Sequence, residues 1–143
     1  MASFKEYQEK VMNYRLLGER LKGLENRRQL LIGKIMEIES TIDSIKEIES
    51  DSKADIVLPL GSGVFVNGSI KDKDKMMVMI SRDIVVEMSL EKTKENLEKN
   101  KKTLENGLRI TEDEMMKTQE EMEKLEPTVR DFIERQQKIE KSE

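Results

Sequence analysis

The chain has no cysteine, no histidine and no tryptophan among its 143 residues. Without cysteine there is no disulfide framework, no thiol nucleophile and no thiolate metal site. Without histidine the commonest general base and the commonest transition-metal ligand are missing. The Ser, Thr and Tyr hydroxyls then have no partner from which a nucleophilic triad is built. The sequence therefore offers no support for an enzyme, a metal centre or a resident cofactor. Aromatic residues are also few, at three Phe and two Tyr, whereas a compact globule of this length needs more bulky apolar side chains in its core. No apolar run approaches the roughly 20 residues that span a bilayer. The opening MASFKEYQEK lacks the apolar centre of a signal peptide. The expectation is a cytoplasmic protein with no membrane partner.

What the chain has in abundance is charge, which makes up 39% of it, with 26 basic and 30 acidic residues and a net charge of −4. The two signs are interspersed, so there is no basic footprint for nucleic acid. A composition dominated by Glu and Lys suits long helices that bury one narrow stripe.

That stripe is visible. Leu17, Leu21, Leu24, Arg28, Leu31, Ile35, Ile38, Ile42 and Ile45 alternate steps of four and three, with only Arg28 polar. A mean spacing of 3.5 keeps one seam facing a partner helix. Phe4, Tyr7, Val11 and Tyr14 continue the series upstream with a shift of phase. A helix is expected from Phe4 to Glu49, ended by Ser50-Asp51-Ser52, whose side chains compete for backbone hydrogen bonds. A second seam runs through Leu97, Leu104, Leu108, Thr111, Met115, Thr118, Met122, Leu125, Val129, Phe132, Gln136 and Ile139. Its start is thin, because only Leu97 stands between Leu90 and Leu104. This predicts a helix over Leu90–Ile139, kinked rather than broken at Pro127, since the seam keeps its phase there. Each helix is about 70–75 Å long at 1.5 Å per residue. Two such helices, each with one narrow stripe, are expected to fold back on one another, with Ile45 near the start of the second and Tyr7 near Phe132.

Between them the period changes. Residues 54–88 hold short β-favouring runs separated by turn residues. Strands are expected at Ile56–Leu60, Val64–Ile70, Lys75–Ile80 and Ile84–Met88, with turns at Gly61-Ser62-Gly63 and Ser81-Arg82-Asp83 and a solvated link at Lys71-Asp72-Lys73-Asp74. Pro59 cannot donate to a ladder and needs an edge or a bulge. Both faces of these strands carry apolar side chains, and so short a segment cannot bury two faces alone. Val57, Leu58, Leu60, Val64, Phe65, Val66, Ile70, Met77, Met79, Ile80, Val85 and Val86 are therefore expected to form an oligomerisation surface.

Other motifs have plainer readings. Gly61-Ser62-Gly63 is not followed by the Gly-Lys-Ser/Thr of a phosphate loop and reads as a hairpin turn. Glu37/Glu39 and Glu112-Asp113-Glu114 lack the spacing of a calcium loop and read as solvated helix faces. The lysines of Lys92–Lys102 alternate with Glu91, Glu95 and Glu98 at helical spacing and read as intrahelical pairs. Most of the ten methionines read as packing, although Met also suits promiscuous binding surfaces. The aromatics are placed unevenly. Phe4, Tyr7, Tyr14 and Phe132 map to the free ends of the expected hairpin, where they either staple the helices together or stand open to partners.

The segment IVLPLGSGVFVNGSIKDKDKMMVMI, followed by IVVEMSLEKTKENL, closely resembles the α class of prefoldin subunits. The run Val57-Leu58-Pro59-Leu60-Gly61, the pattern Phe65-Val66-x-Gly68-x-Ile70 and the pair Val86-Glu87 carry the match. Two hairpins between the helices are the mark of the α class, since the β class has a shorter insert. One departure is Ser81-Arg82-Asp83, where relatives usually carry glycines. The resemblance implies a mainly α fold, a long antiparallel two-helix coiled coil with two β-hairpins inserted at the turn. The whole of 1–143 would be one unit: residues 1–50 the first helix, 54–88 the hairpins and 90–143 the second helix. The hairpins of several subunits would form a β-barrel platform.

The resemblance further implies an ATP-independent holding chaperone. It would pair with like or β-class subunits, as a hetero-hexamer or a homo-filament, bind non-native protein clients and pass them to a group II chaperonin. Usage rich in Glu, Lys, Ile and Met fits a thermophilic archaeon. Phe4, Tyr7, Val11, Tyr14, Val129, Phe132 and Ile133 are the expected client contacts at the coiled-coil tips. A rival from another class is a structural coiled-coil tether that binds no client.

Overall fold

The computed structural model describes residues 3–51 and 55–143. Helix α1 runs Phe4–Ser50. It opens on a reciprocal cap in which the Ser3 backbone N–H donates to Glu6 Oε2 at 2.9 Å and the Glu6 N–H donates to Ser3 Oγ at 3.4 Å. Two otherwise orphaned donors are thereby satisfied. At the other end the Ser50 hydroxyl donates to the Glu47 carbonyl, in keeping with the expected stop. The Ser52 part of that stop, and the start of the insert at Ala54, lie outside the described residues.

Four strands follow: β1 Asp55–Gly61, β2 Val64–Ser69, β3 Met76–Ser81 and β4 Ile84–Met88. They form two separate antiparallel hairpins, β1 with β2 and β3 with β4. No closed barrel forms within the chain among the described residues. Each strand lies within a residue or so of its expected position. Ile70 is the main exception, since it falls just past β2 and is half-buried.

The expected bulge is present beside the proline: the β1–β2 register shifts between Pro59 and Gly61, leaving Leu60 as the extra residue while Pro59 stays opposite Phe65 on an edge strand. The return is a two-residue loop with Ser62 at φ 51° and Gly63 at φ 78°. Positive φ at both central positions suits the right-handed twist of a hairpin. The second hairpin turns at Arg82-Asp83 with no positive φ and with a register shift between Met79 and Ser81. Both hairpins share that one-residue shift, and the missing glycines are met by a turn with no positive φ.

Helix α2 spans Leu90–Ser142 without a break at Pro127. Ser89 caps it by accepting from the Lys92 N–H at 3.1 Å. The chain divides into two compact units: Met1–Ile32 with Asn106–Glu143, and Gly33–Glu105.

In the first unit the helices run antiparallel. Tyr7 meets Asp131, Gly18 lies beside Met122, Arg28 bonds Glu112 and Leu31 lies beside Gly107. Every first-seam position in it, from Leu17 to Leu31, is buried or half-buried, and so is the second seam from Leu108 to Phe132. Thr111, fully buried, and Thr118 pack in that seam, their hydroxyls donating to the Gly107 and Glu114 carbonyls at 2.8 Å. A buried hydroxyl satisfied within its own helix leaves no stranded polar group. The seam was expected to continue through Gln136 and Ile139, but both are exposed. Past Phe132 the partner helix has run out, so periodicity there finds nothing to pack against.

In the second unit Ile35, Ile42, Ile45 and Leu90 form the buried core. The thin stretch before Leu104 is filled by two residues that hydrophobicity alone passes over. Thr93 is buried with its hydroxyl on the Ser89 carbonyl. Lys101 lays its stem in the seam and reaches Glu39 at 3.3 Å. Lys94 meets Glu49 at 2.8 Å and ties the end of α1 to the first turns of α2.

Candidate assembly surface and coiled-coil ends

Strand pairing fixes which hairpin side chains share a face. In the first hairpin Leu58 lies opposite Val66 and Ile56 opposite Gly68. Gly68 leaves room that Leu58 and Ile56 fill, as their carbons lie 3.4 and 3.5 Å from where a Cβ would sit. The other face carries Val57 opposite Asn67 and Pro59 opposite Phe65. Val57, Leu58, Leu60, Val64, Phe65 and Val66 are all exposed. This hairpin is apolar on both faces and covered on neither.

The second hairpin is two-sided. Met76 opposite Met88 and Val78 opposite Val86 form one face, and all four are half-buried. Asn96 of α2 donates its side-chain N–H to Met88 Sδ at 3.2 Å, so the Met88 end of this face meets the chain's own helix. Met77, Met79 and Val85 share the opposite face with Glu87. Met77 and Met79 are 69% and 68% exposed. Of the expected oligomerisation residues, Ile70 and Val86 are thus half-buried and the rest open. Ile84, which the sequence reading passed over, is exposed as well. The alternation across the Arg82-Asp83 turn was the signal that could have found it.

At the ends of the coiled coil the structure brings Phe4, Tyr7 and Phe132 together. The Phe4 and Phe132 rings lie 6.2 Å apart and tilted by 37°. The Tyr7 hydroxyl donates to Asp131 Oδ2 at 3.4 Å, and the Arg135 guanidinium lies 5.3 Å from the Tyr7 ring centre. Arg135 also pairs with Asp131 at 3.4 Å. Asp131 and Arg135 were not foreseen, because nothing in a polar helical face announces an aromatic neighbour on another helix.

Such an aromatic pair contributes about 0.5–1.5 kcal/mol and an exposed cation–π contact about 0.5–1 kcal/mol. The clasp is therefore weak enough to open at modest cost. Val11, Tyr14 and Val129 are half-buried, and Ile133 is exposed. Val11 lines a shallow groove with Gln8, Met12, Arg15 and Phe132. Tyr14 is not among the residues of that groove or of the clasp.

The surroundings match a known family. The family model described as prefoldin subunit covers residues 17–135. This chain belongs to the prefoldin family. Among curated prefoldins, the alpha subunit of Thermofilum pendens is 35% identical over 83 residues, covering 57% of this chain and 64% of that one. The alpha subunit of Archaeoglobus fulgidus is 34% identical over 98 residues, covering 66% of this chain and 70% of that one. The match thus spans less than two thirds of the Thermofilum prefoldin's length. Among solved structures, a chain of filamentous PFD from Methanocaldococcus jannaschii superposes with a TM-score of 0.71 at 19% identity, over 80% of this chain and 95% of that one. At that identity the likeness establishes the prefoldin fold, two long helices with two small hairpins between them in sequence.

No helix among the described residues is long and apolar enough to cross a membrane. None of the acidic groups there gathers as a metal-holding cluster.

Proposed function

We propose that this chain is a subunit of an ATP-independent holding chaperone of the cytoplasm, assembled with like or β-class prefoldin subunits through its hairpins. The observation that carries the reading is the uncovered apolar surface of both hairpins. Burying one such side chain contributes about 1.5–3 kcal/mol. Roughly half of those exposed would therefore match an association cost of about 4–15 kcal/mol. In this reading Val57, Leu58, Leu60, Val64, Phe65, Val66, Met77, Met79, Ile80 and Val85 become buried between subunits around a shared barrel, some lining its interior and their neighbours packing on its outside, with Ile70 and Val86 at its margin.

The coiled-coil ends hold the client. Phe4, Tyr7, Val11, Tyr14, Val129, Phe132 and Ile133 offer it apolar surface on a support that opens cheaply. Delivery to a group II chaperonin completes the proposed cycle. The deciding experiment is light scattering of a denatured protein diluted into buffer with or without the purified chain, with no nucleotide present. Suppressed scattering is expected. Unchanged scattering from a correctly assembled chain would leave a structural tether as the better reading. Electron microscopy of the chain alone distinguishes small rings from filaments, the form named for the Methanocaldococcus jannaschii protein.

A further inference from the structure

At the coiled-coil end Phe4 pairs with Phe132, and Tyr7 is held by Asp131 and Arg135, while other apolar groups stand open with the clasp closed. Two shallow grooves flank the helix pair of the first unit. One, of about 450 Å³, has a floor of Val11, Met12 and Phe132 and a rim of Gln8 and Arg15. The other, of about 480 Å³, has a floor of Leu16, Leu17 and Leu125 and a rim that includes Arg20, Lys124 and Glu121. Met12 and Leu16, one helical turn apart, are 52% and 53% exposed.

The rim charge is not neutral. Arg15 stands alone in the first groove, and Arg20 and Lys124 outnumber Glu121 in the second, so each carries a net +1 on a chain whose net charge is −4. Among the described residues these three cations make no ion pair, whereas Arg28, Lys94 and Lys101 are bonded across the helices. The nearby hollow around Pro127 is acidic, with Glu123, Glu126, Asp131 and Glu134 against Arg130 alone, which is paired with Glu126. It has no apolar floor beyond the proline ring, so it offers an unfolded segment nothing to bury.

We infer that these grooves bind extended segments of non-native proteins in which an apolar side chain is flanked by carboxylates. The apolar side chain fills the floor while Arg15, Arg20 or Lys124 meets the acid at the rim. This inference rests on the proposed capture of clients by the coiled-coil ends and adds which segments are preferred.

The test uses the full chain and fluorescence anisotropy of three labelled peptides that share one apolar pattern and differ only in flanking Glu, Ser or Lys. The Glu peptide is expected to bind about two- to fivefold tighter than the Ser peptide, the range for an exposed ion pair, and the Lys peptide more weakly. The preference should vanish in the triple variant R15Q/R20Q/K124Q and in roughly 0.5 M salt, where the Debye length falls to about 4 Å. The double variant M12S/L16S should weaken all three peptides alike. Helicity and particle size are measured on every variant. Equal binding of the Glu and Lys peptides, or a Glu preference that survives the triple variant, overturns the inference. A change of particle size in M12S/L16S also overturns it, by assigning the grooves to contacts between copies. Failure of all three peptides to bind would reject capture by the coiled-coil ends itself, a different outcome from loss of charge preference alone.

Discussion

Ile42 and Glu37 sit close together on α1, yet one is buried in the seam and the other is solvated. Removing three carbons from Ile42 leaves a cavity between two helices whose only core is that seam. Ile42→Ala is expected to cost about 2–5 kcal/mol, and Glu37→Ala under about 0.5 kcal/mol. Urea denaturation followed by circular dichroism measures both, and equal midpoints would refute the register.

Lys101 offers a second test. Its hydrogen bond to Glu39 raises its pKa above the ordinary lysine value, with burial acting the other way. Lys94 is raised likewise, chiefly by its hydrogen bonds to Glu49 and then Glu91. A group whose folded pKa is raised contributes stability that is complete below its unfolded value, about 10.4 for lysine. That stability is lost as the pH rises through the folded value. The melting temperature should hold across neutral pH and fall above about 10.4. Lys101→Met keeps the stem in the seam and should flatten part of that fall. An unaltered alkaline limb would mean that the pair contributes nothing.

At the scale of elements, the two hairpins are alike in the sequence and unlike in the fold. Alternation made both faces of all four strands apolar, and from that alone each hairpin was equally two-faced. The structure half-buries the face of Met76, Val78, Val86 and Met88, with Met88 meeting Asn96 of α2, and leaves Met77, Met79 and Val85 open. Val66 in the first hairpin and Met79 in the second are both exposed in the isolated chain, so charging them costs the monomer little. Charging them in an apolar interface costs several kcal/mol each, because a buried carboxylate has lost its water. Val66→Asp with Met79→Asp is therefore expected to give small species of undiminished helicity, read by light scattering after size exclusion and by circular dichroism. Particles of parental size would move the assembly surface elsewhere.

For the molecule as a whole, the prediction concerns separation of assembly from capture. Deleting residues 1–14 and 129–143 removes the Phe4–Phe132 and Tyr7–Asp131 contacts but no part of the hairpins. The truncated chain is expected to assemble normally and to lose protection of a denatured client. Light scattering after size analysis is the measurement. Full protection by the truncated chain would place client binding either in the Leu16–Leu125 groove that the deletion leaves or on the hairpins, whose open methionines are an adaptable apolar surface.

The sequence by itself determined the elements, their order and the seam. A 3.5-residue period and a change to β-favouring runs are local properties, and local sterics and burial act on them directly. The bulge beside Pro59 was legible for the same reason, since a residue without an N–H needs an edge or a bulge. What only the tertiary structure decided were matters of who lies opposite whom. Thr93 and Lys101 became seam residues because a partner helix covered them and Ser89 and Glu39 satisfied their polar ends. Gln136 and Ile139 dropped out because nothing covered them. The clasp of Tyr7, Asp131 and Arg135 joins residues more than a hundred positions apart. A contact of that kind depends on the register of one helix against the other, which no single helix's pattern contains.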